Sequence, residues 1–257
     1  HRSTIKLTVL VMTKLSVNVN KIALLRNARM LERPDVIRLA YLALKSGASG
    51  ITIHPRPDER HIRGRDVEPL SRVVGQFQGA EFNIEGNPFH QLMDVVRAVS
   101  PHQATLVPDD VSAATSDHGW DLSVDGRRLE PIIKELKSLG IRVSLFMDPS
   151  PEQMVLAKEL GADRVELYTE SYADAYDSED QIRVTSMYRE SAFRATELGL
   201  EVNAGHDLNL DNLSYFLTEV NPVQEVSIGH ALTADALEYG MENAVRRYLI
   251  EIEKSYS

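Results

Sequence analysis

KSGASGITI, residues 45–53, joins the end of a predicted helix to a short apolar strand. Gly47 is typical of a helix end, because glycine readily adopts the left-handed conformation that closes a last helical turn. The same order of helix end, glycine and β-rich run recurs in three later segments, SLGIRVSLF (138–146), ELGADRVEL (159–167) and ELGLEVNAG (197–205). The chain is therefore built from a repeating helix-to-strand unit.

Working outward from these joints, eight predicted strands alternate with helices and no domain break intervenes. The strands are predicted at 15–19, 51–53, 81–84, 104–107, 142–147, 164–167, 201–203 and 225–228, and the helices at 34–47, 67–77, 88–99, 129–139, 151–160, 181–198, 208–219 and 233–254. This alternation predicts a single-domain (β/α)8 TIM barrel over residues 12–257, with extra helices or loop insertions. A doubly wound open sheet is the alternative, but no G-x-G-x-x-G follows the first strand.

Composition narrows the class of protein. Of the 257 residues, 43% are hydrophobic and 26% charged, as in ordinary globular domains. The net charge of −10 argues against a nucleic-acid partner, which would need a basic face. The chain has no cysteine and no apolar run long enough to cross a membrane, so we expect a cytoplasmic protein. Residues 1–11 are expected to be upstream or artificially added sequence, with Met12 the natural start.

Chemically active residues are concentrated where the predicted strands end. The stretch GITIHPRPDERHI, residues 50–62, places two histidines and two arginines in a proline-stiffened loop directly after a strand. The other strand ends carry Asn18, Asn20, Lys21, Glu85, Thr115, Glu166, Tyr168, His206, Gly229 and His230. In a parallel barrel these strand ends meet at one mouth, so we expect a single active site there.

The residue types indicate acid–base chemistry on a phosphorylated small molecule. Histidine and glutamate transfer protons near neutral pH, and arginine and lysine bind phosphate. Gly205 and Gly229, each before a histidine, are expected to let a backbone amide approach an oxyanion. A metal cluster of His54, His61, Glu85 and His206 is a second interpretation, which no H-x-H or H-x-x-x-H spacing supports.

Several long motifs then identify a resemblance. They are NVNKIALLRNAR (18–29), GITIHPRPDERHI (50–62), NIEGNP (83–88), LVPD (106–109), VSLFMDP (143–149), VELYTESYA (165–173), VNAGHDLN (202–209) and VSIGHAL (226–232). The chain resembles the pyridoxine 5′-phosphate synthase family from Met12 onward. The resemblance implies a (β/α)8 barrel that condenses 1-deoxy-D-xylulose 5-phosphate with 3-amino-2-oxopropyl phosphate. It also implies no metal or organic cofactor, a cytoplasmic location and a homo-octamer.

Residue roles follow from the same resemblance. It implies that His54 and Glu85 are proton acceptors and His206 a proton donor. It implies that one set of residues holds the deoxyxylulose phosphate: Arg56, His61 and Thr115. It implies that another set holds the amino-ketone phosphate: Asn18, Arg29, Gly229 and His230.

The chain departs from the commoner family pattern at three places. Asn20 and Lys21 replace an Asp-His pair, and we expect both to remain substrate-binding residues. Asp207 replaces a glycine and is expected to contribute through its backbone amide alone, while Tyr168 and Glu170 stand where the commoner form has His and Gly.

Two other functions stay open at this point. One is a phosphosugar isomerase or aldolase barrel; an aldolase of the imine type would use Lys21, which is the lysine near a strand end. A catalytically silent phosphate-binding barrel is the third reading, supported by the changed first-strand residues. The loops at 29–33 and 108–126 are candidate lids over the site.

Overall fold

Eight parallel strands close into a barrel at the centre of the computed structural model, which describes residues 12–257. Each strand pairs with the next one along the chain, and the last pairs with the first. The strands are β1 Lys14–Asn18, β2 Gly50–Ile53, β3 Glu81–Gly86, β4 Gln103–Leu106, β5 Arg142–Met147, β6 Arg164–Tyr168, β7 Glu201–Gly205 and β8 Glu225–Ile228. The predicted (β/α)8 TIM barrel is confirmed.

Helices connect successive strands and cover the outside of the barrel. They are α1 Asn20–Asn27, α2 Val36–Lys45, α3 Gly64–Val74, α4 Leu92–Val99, α5 Leu122–Ser138, α6 Pro151–Glu159, α7 Glu170–Ala175, α8 Gln181–Glu197, α9 Leu213–Glu219, α10 His230–Tyr239 and α11 Met241–Lys254. The helix predicted at 233–254 is two helices, because Gly240 has a φ of +77° between them.

The long connection predicted at 108–126 is shorter, because α5 begins at Leu122 rather than 129. Asp121 caps this helix by accepting a hydrogen bond from the Ser123 amide at 3.1 Å. Gly126 therefore lies inside the helix, although its position suggested a loop end. A Cβ atom there would make an ordinary contact, at 3.5 Å, with Leu160 just after α6.

Each strand divides its side chains between two environments. In β2, Ile51 and Ile53 face the helices and join the main apolar core, which lies between the barrel and its helical cover. Thr52 alternates with them, and its hydroxyl lies 2.7 Å from that of Ser16 inside the barrel. The barrel interior is polar, as the 3.2 Å bond from Gln103 to Asn83 illustrates. By the same alternation Glu85, two residues after Asn83, points inward at the top of β3.

Helix α1 lies in a segment for which the sequence predicted no helix. Its buried Arg26 forms two hydrogen bonds with Asp66 of α3, at 2.7 and 2.8 Å. Asn27, at its end, donates to the backbone oxygen of His61 at 2.8 Å. Removing one partner of a buried ion pair costs about 3–5 kcal/mol, so this pair fixes the loop that carries His61.

Residues 1–11, with the expected upstream origin and a possible extra strand at 4–11, lie outside the described residues. Across residues 12–257, no helix is both long enough and apolar enough to cross a membrane.

Candidate active site

A cavity of about 390 Å³ opens at the carboxyl ends of the barrel strands. All eight strands or the turns that follow them contribute to its wall. The lining residues are Asn18, Asn20, Lys21, Leu24, His54, Arg56, Arg60, His61, Glu85, Val107, Ala114, Thr115, Ser116, Phe146, Glu166, Glu170, His206, Asp207, Ser227, Gly229 and His230. Every predicted site residue is among them except Arg29, which is exposed just beyond α1.

Two carboxyl groups share the floor of this cavity. Burial, followed by the nearby Asp109 and Glu225 carboxylates, raises the pKa of Glu85 to about 8. Burial and the charge of Glu85 raise the pKa of Glu166 well above its usual value. Both groups therefore hold protons readily near neutral pH, and a carboxyl with a pKa near the working pH is suited to proton transfer. Glu166 was seen at a strand end but was assigned no role.

His54 is held as a neutral imidazole beside these groups. Its backbone amide donates to the Asn20 side chain at 2.9 Å, and its Nδ1 lies 4.0 Å from Asp109 Oδ2. Burial, and then the positive charge of Arg56, keep the pKa of His54 well below its usual value. A neutral imidazole can accept a proton, which is the role predicted for His54. Asn20 thus acts on the His54 backbone through its side-chain oxygen.

His61 is also neutral and has a defined tautomer. Burial, and then the charges of Arg56 and Lys21, lower the pKa of His61 to about 4. Its Nδ1 accepts a hydrogen bond from the Ile62 amide at 2.9 Å. The single ring proton therefore lies on Nε2, so His61 can donate one hydrogen bond through that atom.

Asp109 organises the predicted phosphate-binding arginine. Its Oδ2 accepts from Arg56 at 2.6 Å and from the Ser116 hydroxyl at 2.8 Å, while its buried Oδ1 has no hydrogen-bond partner. Burial raises the pKa of Asp109 above its usual value. Arg56 and Arg60 both donate to the Ala113 backbone oxygen, so the loop after β4 is fastened to the loop after β2. Arg60 lies in the motif at 50–62, and the sequence indicated no role for it.

The two site glycines make room for side chains. A Cβ atom on Gly205 would stand 2.5 Å from Glu166 Oε1, and one on Gly229 would stand 3.1 Å from the Asn18 side chain. Packing thus gives these glycines a reason of its own, and close approach of an amide to an oxyanion stays a prediction. Asn18 itself accepts from the Asn20 amide at 2.9 Å.

The turn after β7 corrects the expectation for Asp207. Its side-chain Oδ2 lies 2.7 Å from His206 Nδ1, so Asp207 acts through its carboxylate and not through its backbone alone. On the other side of the ring, His206 Nε2 lies 3.1 Å from the Thr115 hydroxyl. Tyr168 packs edge-on against the same ring, with 5.0 Å between ring centroids.

The cluster considered as a metal site does not form as predicted. Among residues 12–257, the group of three or more histidines and carboxylates whose ligand atoms all lie within 4.8 Å of one another is Glu170, His206 and Asp207. The four residues of the metal interpretation are not such a group. The atoms of Asp207 and Glu170 are engaged in hydrogen bonds with His206 and Tyr168 respectively.

A closed parallel barrel with proton-transferring and cationic groups at its strand ends defines the class as a (β/α)8-barrel enzyme. The family model described as "Pyridoxal phosphate biosynthesis protein PdxJ" matches residues 15–254. The chain belongs to this family, which is the predicted one.

Curated relatives agree with that family. The chain is 54% identical over 242 residues to the pyridoxine 5′-phosphate synthase of Albidiferax ferrireducens, covering 92% of this chain and 96% of that protein. It is 50% identical to the pyridoxine 5′-phosphate synthase of Cytophaga hutchinsonii, covering 95% and 100%. Each match covers more than nine-tenths of both chains.

Solved structures at low identity share the fold. Tryptophan synthase from M. tuberculosis matches with a TM-score of 0.62 at 11% identity, covering 95% of this chain and 93% of that one. Phosphoribosyl anthranilate isomerase from Thermus thermophilus matches with a TM-score of 0.58 at 12% identity, covering 94% and 98%. At such identities the likeness establishes the barrel and nothing about the reaction.

Proposed function

We propose that this chain condenses 1-deoxy-D-xylulose 5-phosphate with 3-amino-2-oxopropyl phosphate to give pyridoxine 5′-phosphate, inorganic phosphate and water. Membership of the family and the names of relatives about half identical over nearly the whole chain support this reaction. The observation that carries it is that His54, Glu85 and His206, from three separate strand ends, line one cavity. Ring formation needs repeated proton transfers, and these groups supply them.

Proton acceptance is assigned to His54 and Glu85. The amine adds to the ketone and water leaves as an imine forms; removal of a neighbouring proton then gives an enamine that expels phosphate. Neutral His54 is in the protonation state that accepts a proton, and Glu85 has a pKa of about 8, close to the solution pH. His206, half-buried between Thr115 and Asp207, is the proposed donor for the departing oxygen groups.

Two phosphorylated substrates require two anion-binding regions. For the deoxyxylulose phosphate we propose Arg56, His61 and Thr115, since Arg56 is cationic and His61 donates through Nε2. For the amino-ketone phosphate we propose a second set: Asn18, Asn20, Lys21, Gly229 and His230 of the cavity wall, the backbone amide of Asp207, and Arg29 from outside that wall. Support there comes from Gly229 and His230, which begin the ten-residue helix α10, whose first amides attract anions.

The test is to incubate the protein with both phosphates and to follow pyridine absorbance and free phosphate. The proposal expects both signals together, and neither when one substrate is omitted. Release of phosphate when the deoxyxylulose phosphate is the sole substrate would contradict the proposal. The same incubation with borohydride tests the aldolase reading, because a lasting adduct on Lys21 would favour an imine-forming aldolase.

We also propose a cytoplasmic location and a homo-octamer, both supported by the family resemblance. Light scattering of the purified protein tests the octamer, and a monomer at assay concentration would contradict it. An oligomer would give exposed Arg29 a second surface from which to act.

A further inference from the structure

The turn that ends β7 has an unusual backbone for the residues it carries. His206 has a φ of +92° and Asp207 a φ of +59°, which side-chain-bearing residues adopt infrequently. Such conformations persist where neighbouring groups fix them and are common at functional sites. Here the Thr169 hydroxyl donates to the backbone oxygens of Gly205 and His206. The Asn212 side chain donates to the Asp207 oxygen at 3.1 Å.

The consequence of this backbone is a contact between adjacent side chains. The Asp207 carboxylate turns back to His206, where Oδ2 lies 2.7 Å from Nδ1. The hydrogen bond with His206 lowers the pKa of Asp207, and the charges of His206, His230 and Lys21 act in the same direction against partial burial. Asp207 is therefore an ionised acceptor, and an acceptor at Nδ1 requires the ring proton to be there.

The remaining ring nitrogen faces the reaction space. His206 Nε2 lies 3.1 Å from the hydroxyl of Thr115, a residue of the cavity wall. The edge-on Tyr168 ring restricts rotation of the imidazole, and the Tyr168 hydroxyl donates to Glu170. Tyr168, Glu170 and Asp207 thus surround one imidazole.

We propose that Asp207 is a positioning residue, whose carboxylate holds the proton of His206 on Nδ1 and thereby directs Nε2 to the substrates. This rests on the proposed function for its effect on turnover, but the contact itself does not depend on that function. In this tautomer Nε2 carries no proton, so His206 first accepts a proton from the reacting atoms on Nε2 and then donates that proton to a departing oxygen. Tyr168, Glu170 and Asp207 act as one group that orients this imidazole.

The test compares Asp207→Gly with a matched control. Glycine accepts the positive φ without strain, so the backbone is retained while the carboxylate is lost. Asp177→Gly is the control, because Asp177 is an exposed aspartate with a φ of +63° outside the cavity wall. We expect Asp207→Gly to lower kcat about 10- to 100-fold, as loss of an orienting partner commonly does. We expect both KM values to stay within about threefold, and Asp177→Gly to match the unmodified protein.

A second readout follows the ring proton directly. Solid-state NMR of protein labelled with ring-15N histidine, with His206 assigned from His206→Gln, should show neutral His206 protonated on Nδ1. In Asp207→Gly it should shift toward Nε2 protonation. A kcat loss below about threefold in Asp207→Gly, or an unchanged ring-nitrogen spectrum, would overturn the proposal.

If Asp207→Gly does not fold, Asp207→Asn replaces it, because asparagine also tolerates a positive φ. We expect kcat to fall by about threefold or more in that variant. If the unmodified protein makes no pyridoxine 5′-phosphate, the proposed function fails, while the nitrogen spectrum still decides the role of Asp207.

Discussion

Glu166 Oε1 occupies the space where a side chain on Gly205 would begin, 2.5 Å from the position of that Cβ atom. The two residues lie on neighbouring strands β6 and β7, one at the cavity floor and the other before His206. The glycine therefore leaves room for a buried carboxyl group, whose pKa is raised by burial and by the charge of Glu85.

Gly205→Ala should displace the Glu166 carboxyl and lower kcat by about 10- to 100-fold, because small misplacements of groups at a reaction centre are costly. Overpacking should lower the free energy of unfolding by about 1–3 kcal/mol. Steady-state kinetics and urea unfolding measure the two effects. Gly75→Ala, where the new methyl would meet atoms no nearer than 3.6 Å, is the control. Unchanged kcat in Gly205→Ala would contradict the placement of the Glu166 carboxyl at the reaction centre.

His54→Ala and Glu85→Gln should each reduce turnover by at least about 100-fold, in line with the usual contribution of a general base. Neither change disturbs the apolar core, so circular dichroism should stay unchanged. Glu179→Gln, on an exposed glutamate, serves as the control. Near-normal product formation by either site variant would remove that residue from the proposed mechanism.

Stability should fall as pH rises through the titration of Glu85. Its folded-state pKa of about 8 exceeds the usual value of 4.5, so the folded protein holds an extra proton between these values. Free energy of unfolding is therefore lost across that window, on the order of 5 kcal/mol from this group. Glu85→Gln should remove this loss, as urea unfolding at about pH 5 and about pH 9 will show. Parallel curves for the two proteins would contradict the raised pKa.

Titration of His61 should make stability fall as pH decreases, which is the opposite of the Glu85 effect. Its folded-state pKa of about 4 lies below the usual 6.5, so the unfolded chain holds the extra proton between these values. Stability should therefore fall as pH drops from 6.5 to 4, by about 3 kcal/mol for this residue. His61→Asn, which retains an acceptor for the Ile62 amide, should flatten the acid limb. Exposed His118→Asn should not, and equal acid sensitivity in His61→Asn would refute the prediction.

The strands were predictable because their signal is local. Short β-rich runs located all eight, four of them after helix-ending glycines, and β5 and β8 were predicted at the positions observed. Convergence of most site residues followed from the barrel, since parallel strands end on one face. Helix α1 was not predictable in the same way. Its stability depends on a buried pair between Arg26 and Asp66, which are forty residues apart in sequence.

The roles of individual side chains depended on contacts that no local pattern contains. The sequence suggested that Asp207 acts through its backbone amide, as glycine would. In the structure, its left-handed backbone conformation directs the carboxylate to His206. Asn20 looked like a substrate ligand, and its side-chain oxygen holds the His54 amide. In the sequence, Asp109 is one of several acidic residues in a long loop. Its burial and its hydrogen bond with Arg56 are seen only in the structure.

The most direct test of the proposed reaction uses 3-amino-2-oxopropyl phosphate labelled with 15N, together with unlabelled 1-deoxy-D-xylulose 5-phosphate. The account predicts that the label enters the ring of pyridoxine 5′-phosphate, and that ring and free phosphate appear in equal amounts. Phosphate released without a labelled ring, or no product from the folded protein, would contradict it.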